Sequence, residues 1–179
     1  MSVLVRYGQV PEVGRFNVAC DEPLHRDDEV VLRTQRGLEL GRMLQNWTPE
    51  TVADVSTSDR LSQELADLKV VRKANSADHR KHRELRDQCE AEFEAWRERI
   101  YEWKLELELI DSERTLDTEQ LILYVLNERG PDCTKLSLYA AAGGLGTVTV
   151  QPVGSDGIIQ LEPVGGCGSG GCGSGGCSH

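Results

Sequence analysis

The feature that most constrains this sequence is a stripe of apolar side chains that recurs at helical spacing through a strongly charged segment. Steps of four, four, three, four and three residues separate its members, Leu85, Cys89, Phe93, Trp96, Ile100 and Trp103. This spacing places them on one face of an α-helix, while Arg, Glu and Asp fill the other faces. Asn75 and Ser76 are candidate N-cap residues, and Asp78 suits the positive end of the helix dipole. We therefore predict a helix over about 77–103, with Cys89 as a small core residue.

The segment before this helix is typical of short β-strands separated by turns. Apolar and polar residues alternate, or short apolar runs occur, over residues 3–7, 14–20, 29–34 and 38–44. Gly37 lies between the last two runs, where a glycine supplies the positive φ of a hairpin. Asp27 and Asp28 mark another turn, in which their carboxylates are expected to accept local hydrogen bonds. Residues 1–57 are therefore predicted to form a small, bent antiparallel β-sheet or partial barrel.

Two further strands and a second helix are predicted after the long helix. Three leucines alternate with glutamates over residues 105–109, which favours a strand with one face in the core and one in water. The run LILYVL at 121–126 is apolar throughout, as expected of a central strand covered on both faces. Residues 132–142 can form a helix with Leu136 and Tyr139 facing inward.

The complete pattern predicts an α+β fold. A late hairpin is expected from strands at 147–151 and 158–162. The order helix–strand–strand–helix–strand is similar to half of a ferredoxin-like split βαβ unit, completed by a strand near 69–72. We expect one domain with a flexible tail; the predicted boundaries are 1–164 for the domain, 1–57 for its β-rich subdomain, 68–162 for its α+β subdomain and 165–179 for the Gly/Ser/Cys tail.

Charge and hydropathy exclude several classes of function. The formal net charge is −10, from 20 Lys and Arg against 30 Asp and Glu, so a nucleic-acid backbone would be repelled by the overall field. The best basic patch is diluted by Asp78, Glu84 and Asp87; it comprises Arg72, Lys73, Arg80, Lys81 and Arg83. No apolar run approaches the roughly 20 residues of a membrane span. We expect a cytoplasmic protein whose thiols stay reduced and which does not bind nucleic acid directly.

The motifs of common catalytic sites are missing from the sequence. Residues 143–146 (GGLG) are not followed by the Lys-Ser/Thr of a phosphate-binding loop, and no serine lies in a nucleophile-elbow pattern. His79 and His82 share a helix face and could pair on a metal, but the sequence offers no second pair of ligands nearby. We therefore predict no catalytic residues and no enzymatic activity.

The tail carries half of the six cysteines in a repeat of five residues. Cys167, Cys172, Cys177 and His179 make a complete set of four soft ligands, which suits zinc in a Cys₃His site or an iron–sulfur cluster. Ordering a Gly/Ser chain costs about 1–2 kcal/mol per residue, whereas structural zinc supplies roughly 10–16 kcal/mol. Three interpretations stay open: a bound metal or cluster, an unstructured tail with oxidised or idle thiols, and a site completed by a partner.

The order of several short motifs resembles one known family. The segments that carry the resemblance are Val5-Arg6-Tyr7, residues 28–31 (DEVV), residues 34–41 (TQRGLELG), Val71-Arg72-Lys73-Ala74, the long charged helix, residues 105–111 (LELELID), Thr115-Leu116-Asp117 and the strand at 121–125. In this order, over most of residues 3–142, they resemble the PSP-one C-terminal domain family, which includes a polymerase suppressor and YaaT-like (RicT-like) sporulation proteins. The chain departs from that family at residues 129–134 and in its shortened, Gly-rich C-terminal block.

The resemblance implies a cytoplasmic regulatory or adaptor protein that acts in complexes linked to RNA processing or developmental signalling. In some members of the family cysteines hold iron–sulfur clusters. We therefore expect a non-enzymatic adaptor with protein partners and no membrane association. One alternative is a metal- or redox-sensing protein that uses the C-terminal Cys₃His cluster. A second is an RNA-processing cofactor whose partner contacts the RNA.

Overall fold

The computed structural model describes residues 1–48, 68–126, 130–155 and 157–159, which form an α+β protein with two sheets. In chain order, the described elements are β1 (Ser2–Tyr7), β2 (Glu12–Val18), β3 (Glu29–Arg33), β4 (Leu38–Asn46), β5 (Lys69–Lys73), α1 (Ser76–Glu102), β6 (Glu108–Arg114), β7 (Gln120–Leu126), α2 (Pro131–Ala142), β8 (Thr147–Gly154) and β9 (Gly157–Ile158). The predicted class, an N-terminal sheet followed by a long helix and a second sheet with a helix, is confirmed.

The first five strands close into a small ring in the order β1-β2-β5-β3-β4, with β4 pairing back to β1. Its interior is a cluster of buried side chains, Val3, Val5, Phe16, Val30, Leu32, Met43 and Val70. Four of its pairings are antiparallel, as predicted. The fifth, between β2 and β5, is parallel and joins only Asn17 to Lys69 and Val18 to Val70. The ring is therefore closed between β2 and β5 by only two residue pairs.

The strand at 69–73 belongs to this ring, so the prediction that it completes the second sheet is wrong. That sheet has the order β6-β7-β8-β9, in which β7 pairs antiparallel with β6 and parallel with β8. Because no strand separates β7 from β8, α2 connects two direct neighbours. The apolar run 121–125 is buried in the centre of this sheet, as its composition predicted.

The long helix is confirmed with nearly the expected bounds, and its capping is as the sequence indicated. The Oδ1 of Asn75 accepts hydrogen bonds from the backbone N–H groups of Ala77 (2.9 Å) and Asp78 (3.1 Å). In the reverse direction, Oδ2 of Asp78 accepts a hydrogen bond from the Asn75 N–H at 2.9 Å. This reciprocal pair is a capping box, which satisfies donors that the first turn of a helix leaves without partners.

Helix α1 packs on both sheets with the predicted stripe. Its Leu85 lies with Val31 of the ring and Leu116 of the β6–β7 turn in one buried cluster. Farther along, Cys89, Trp96 and Ile100 join the larger core under the second sheet. At about 1.5 Å per residue the helix is roughly 40 Å long, and it contacts both the ring and the second sheet. None of the described helices is long and apolar enough to cross a membrane.

Two predicted details around the second sheet are wrong. The strand expected at 105–109 begins only at Glu108. The Leu105 N–H donates to the Ile100 carbonyl at the end of α1, and the Glu106 N–H donates to the Asp132 carboxylate, so this backbone is engaged outside a strand ladder. Tyr139, expected to face inward, is 43% exposed and stacks edge-on against Trp103, while Leu136 is fully buried as predicted.

We predict that Asn75→Ala destabilises the protein by about 1 kcal/mol, because two N–H groups of the first turn lose their acceptor. Urea unfolding followed by far-UV circular dichroism measures the change. Ser76→Ala, at the neighbouring exposed position, is the control and is expected to cost less than about 0.5 kcal/mol. Equal unfolding midpoints for the two variants would contradict the role of the cap.

Candidate functional site

A network of buried charges lies where the ring meets the second sheet. The Arg36 guanidinium donates from Nε and Nη2 to the two carboxylate oxygens of Glu39, both at 2.9 Å. Its Nη1 lies 3.1 Å from Oε1 of Glu12. Glu39 is only 2% exposed and also accepts from the Thr34 hydroxyl at 2.7 Å. One guanidinium therefore compensates two carboxylates of the ring.

The second sheet adds a third carboxylate to this region. Glu113 on β6 accepts at its Oε2 from the Tyr124 hydroxyl and from the Gln9 N–H of the β1–β2 turn, each at 2.8 Å. Tyr124 is fully buried on β7, and its hydroxyl lies close to Gly8 in the same turn. The β1–β2 turn of the ring is thus hydrogen-bonded directly to the second sheet.

A second contact joins the sheets at the tip of the β3–β4 hairpin. The Leu38 N–H donates to Oδ2 of Asp117 in the β6–β7 turn at 2.8 Å, and the Leu116 N–H donates to the Leu38 carbonyl at 2.6 Å. Gly37 has φ +132°, and a Cβ at that position would lie 2.7 Å from an Asp117 oxygen. The predicted hairpin glycine is therefore required both by the backbone and by this close approach.

The electrostatics of the network favour a structural role. Burial raises the pKa of Glu39 and of Glu12, although Arg36 opposes the effect in both. Burial also raises the pKa of Tyr7 to about 12, and burial together with Glu113 raises the pKa of Tyr124 further. The two phenols thus stay protonated at neutral pH. The described contacts of these side chains are ion pairs and hydrogen bonds to one another and to the backbone, and some of them join the two sheets.

We predict that Arg36→Met lowers the free energy of unfolding by about 3–5 kcal/mol, because it leaves buried carboxylates without their counter-ion. The pKa values of Glu39 and Glu12, already raised by burial, rise further in the variant. A folded state with raised pKa values binds more protons than the unfolded chain, so stability falls as pH rises through that window. The difference in free energy of unfolding between the unaltered chain and Arg36→Met should therefore become smaller as the pH is lowered from 7 towards 5.

The control for this substitution is Arg42→Met. Arg42 lies 3.6 Å from Glu29 in a pair whose side chains are 58% and 47% exposed. An exposed ion pair of this kind contributes less than about 1 kcal/mol. Urea unfolding at several pH values compares the variants. Equal losses in free energy of unfolding for the two would show that the Arg36 contacts contribute no more to stability than an exposed ion pair.

An open cleft of about 360 Å³ lies beside the network and contains the predicted histidine pair. It lies between β1, β4, the first turns of α1 and Glu113. His79 Nε2 is 3.5 Å from a Glu29 oxygen, and burial lowers the pKa of His82. Among the residues that the structure describes, no group of three His, Cys, Asp or Glu is arranged to hold a metal ion. The cleft is thus lined by both acidic and basic side chains.

The predicted basic patch is partly neutralised. Nη2 of Arg72 donates to Oδ1 of Asp78 at 2.8 Å, and this contact lowers the pKa of Asp78 to about 2. Lys73 lies 2.8 Å from Asp28, which also accepts from the His25 N–H, as expected for a turn carboxylate. Two of the five basic residues are therefore already paired with carboxylates.

A groove of about 500 Å³, which we call the α1–β6 groove, runs between the C-terminal half of α1 and the chain that leads into β6. Its lining comprises Glu94, Arg97, Glu98, Ile100, Tyr101, Leu105, Leu107, Glu108 and Leu109. The chain reverses at Lys104, whose φ is +54°, so that the alternating leucines run back beside the helix. The aliphatic side chains at its base are mostly buried, with Leu107 half-buried, whereas Tyr101 is 85% exposed.

The rim of the α1–β6 groove is acidic. It has three glutamates and one arginine, and that arginine, Arg97, already lies 3.1 Å from Glu94. More exposed apolar side chains occur nearby: Ile110 follows the groove in β6 and is 45% exposed, and Leu126, paired with Glu108, is 50% exposed. This part of the surface therefore combines exposed apolar area with uncompensated negative charge.

The predicted metal ligands Cys167, Cys172, Cys177 and His179 lie outside the described residues. Of the other cysteines, Cys89 and Cys133 are buried, and burial raises the pKa of each thiol. The prediction that Cys89 is a core residue is confirmed.

The sequence patterns identified neither the network nor the groove. Arg36 and Glu39 are brought together only by the hairpin, and three residues apart they gave no helical or strand signal. Tyr101 lies one position beyond Ile100 of the stripe, so its exposure could have been predicted from the helix face alone.

Comparison with models of known protein families gives a match within the second half of the described structure and the end of the ring. Residues 68–137 match the PSP1 C-terminal conserved region, which confirms the predicted resemblance for that part of the chain. The matched segment contains β5, α1, β6 and β7 and ends within α2. All residues that line the α1–β6 groove lie inside it, whereas Arg36 and Glu39 lie outside. Searches of curated proteins and of solved structures gave no match.

Proposed function

Because this chain carries a PSP1 C-terminal conserved region, we propose that it is a non-enzymatic cytoplasmic adaptor that acts within a protein complex. We assign its partner-binding surface to the α1–β6 groove. The observation that carries the proposal is Tyr101, which is 85% exposed above an apolar floor. Exposed apolar surface rimmed by polar residues is typical of protein-binding sites.

The chemistry of the groove favours a protein partner. Aromatic residues that project from an apolar surface are frequent anchors of protein interfaces, in which they contribute much of the binding free energy. Tyr101 and the half-buried Leu107 offer apolar area, and the charged rim offers specificity. The groove also lies wholly within the segment that the chain shares with the family, as a common function of that segment would require.

The proposal of a non-enzymatic role is supported by the state of the titratable groups. The buried phenols have raised pKa values, and the carboxylates near them are held by Arg36, by hydroxyl groups or by backbone N–H groups. In the open cleft, Glu29 lies near both Arg42 and His79. These groups form structural contacts, and none of them is paired as a nucleophile with a general base.

We predict that Tyr101→Ala lowers the recovery of native complexes at least about tenfold when the tagged full chain is purified from its own cells. Loss of an aromatic anchor costs about 2 kcal/mol or more, and 1.4 kcal/mol already corresponds to tenfold. Quantitative mass spectrometry of the co-purified proteins measures the change.

The control is Val13→Ala, which truncates an apolar side chain that is 60% exposed on the ring, away from the groove. We expect its complexes to match those of the unaltered chain. If Tyr101→Ala recovers the same partners in the same amounts as Val13→Ala, the groove is not the binding surface. The identities of partners lost with Tyr101 would separate a role in RNA processing from one in developmental signalling, both of which the family resemblance implies.

The competing function is a metal or redox sensor that uses the C-terminal cysteines and His179. It is favoured by one observation, the four soft ligands in a tail of fifteen residues that are otherwise only Gly and Ser. For a sensor we expect about one zinc ion or iron–sulfur cluster per chain in protein purified without oxygen.

Elemental analysis and a UV–visible spectrum provide the measurement, and the comparison is a variant with all three tail cysteines changed to serine. Loss of the metal in this variant would support the sensor. Equal metal content in the two proteins would exclude the tail as the metal site and leave the adaptor function.

A further inference from the structure

We infer that the α1–β6 groove receives an amphipathic helix whose apolar stripe is flanked by basic residues. This inference rests on the proposed function, because it specifies the chemistry of the partner segment at the same groove. An occupant of this kind is favoured by the charge of the rim, by the spacing of the groove residues along α1 and by the backbone of β6.

The charge of the rim selects a basic partner. Glu94, Glu98 and Glu108 are all exposed, and the Arg97 guanidinium lies 3.1 and 3.2 Å from the two oxygens of Glu94. One guanidinium for three carboxylates leaves a net negative rim. Lysine or arginine side chains that flank an apolar stripe would place their charges on this rim while the stripe covers the floor.

The wall that α1 contributes has helical periodicity. Glu94, Arg97 or Glu98, and Tyr101 are separated by three or four residues, so they follow one face of α1 for two turns, a length of about 10 Å. Ridges with this spacing interdigitate with the side chains of a second helix. An amphipathic helix with anchors at i, i+3 or i+4, and i+7 matches such a groove.

The backbone of β6 disfavours the other common occupant, an added β-strand. Among the described strands, β6 lies at the edge of its sheet. Its register shifts between Leu109 and Asp111, which is a β-bulge, and Ile110 is the additional residue. A bulge interrupts the row of backbone groups that a new strand needs, and charged side chains at an edge oppose strand addition further.

A second copy of this chain would fit the groove poorly. Two copies that met groove to groove would bring their acidic rims together, and each chain has a net charge of −10. Like charges placed opposite each other across an interface are unfavourable. The surface therefore suits a different protein with a basic helical segment.

The test uses synthetic 18-residue peptides as probes of the full chain, with binding followed by fluorescence anisotropy. The first probe has leucines at helical spacing flanked by lysines. The second has the same composition with strictly alternating leucine and lysine, which favours a strand. The third is the helical probe with glutamate in place of lysine. We expect the first probe to bind at least about tenfold more tightly than each of the others.

Variants locate the binding to the groove. Glu98→Lys reverses one rim charge and is expected to weaken the basic helical probe about fivefold to tenfold at low salt, with a smaller effect at high salt. Tyr101→Ala is expected to weaken it about tenfold. Glu84→Lys, the same change at an exposed position of α1 outside the groove, is the matched control and should leave the affinity unchanged. All three positions are exposed, and melting curves verify that the variants fold.

Either of two results would overturn the inference: equal affinity for the helical and alternating probes, or equal weakening by Glu84→Lys and Glu98→Lys. The proposed function fails separately. If native complexes depend on Tyr101 but not on the charge at Glu98, the adaptor function stands and the inference of a basic helical partner segment is wrong. If native complexes do not depend on Tyr101, the groove is not the adaptor surface.

Discussion

The buried contact of Arg36 with Glu39 and Glu12 holds the β3–β4 hairpin against β2, and this hairpin is a part of the ring that meets the second sheet. The Arg36 side chain is 13% exposed and the Glu39 side chain is almost fully buried, so they tolerate little displacement, because any separation would leave a charge without a partner in a poorly hydrated region. The hairpin that carries Arg36 also contacts the β6–β7 turn, and Tyr124 and Glu113 hold the β1–β2 turn. The two sheets therefore have one defined orientation.

Helix α1 depends on that orientation. Its N-terminal half packs on the ring and its C-terminal half on the second sheet, so a change in the angle between the sheets would cost the helix one of its two packing surfaces. The α1–β6 groove is formed by this helix and by the chain that returns beside it. The position of the exposed groove therefore depends on hydrogen bonds between the sheets that lie outside it.

The sequence was most informative where structure depends on local patterns. The stripe from Leu85 to Ile100 and the Asn75 cap predicted α1 closely, because side-chain spacing and capping are properties of neighbouring residues. The apolar run in β7 likewise predicted a central strand. The pairing of β5 was predicted wrongly, because five residues of extended chain adjacent to the helix carry no information about which sheet accepts them.

The candidate site depended on contacts between distant segments, and for that reason it could not be predicted. Asp117 contacts the turn that carries Arg36 from 79 residues farther along the chain. Leu105 and Leu107 line a groove only because the chain reverses at Lys104. Alternation of leucine with glutamate predicted a strand at 105–109. In the structure the alternating leucines line the groove instead. The backbone at Leu105 and Glu106 donates hydrogen bonds to Ile100 and Asp132, so it does not pair as a strand there.

The place of β5 in the ring has a consequence for synthesis of the chain. Strands β1 to β4 precede residue 47, but without β5 they pair only in the order β2-β1-β4-β3, with the outer sides of β2 and β3 open. A ribosome adds roughly 5–20 residues per second, so the nascent chain waits on the order of seconds before residue 69 is made. During that interval it exposes two strand edges of the kind that promote association between chains. Translation speed through residues 47–68 therefore sets how long the newly made protein is vulnerable to aggregation.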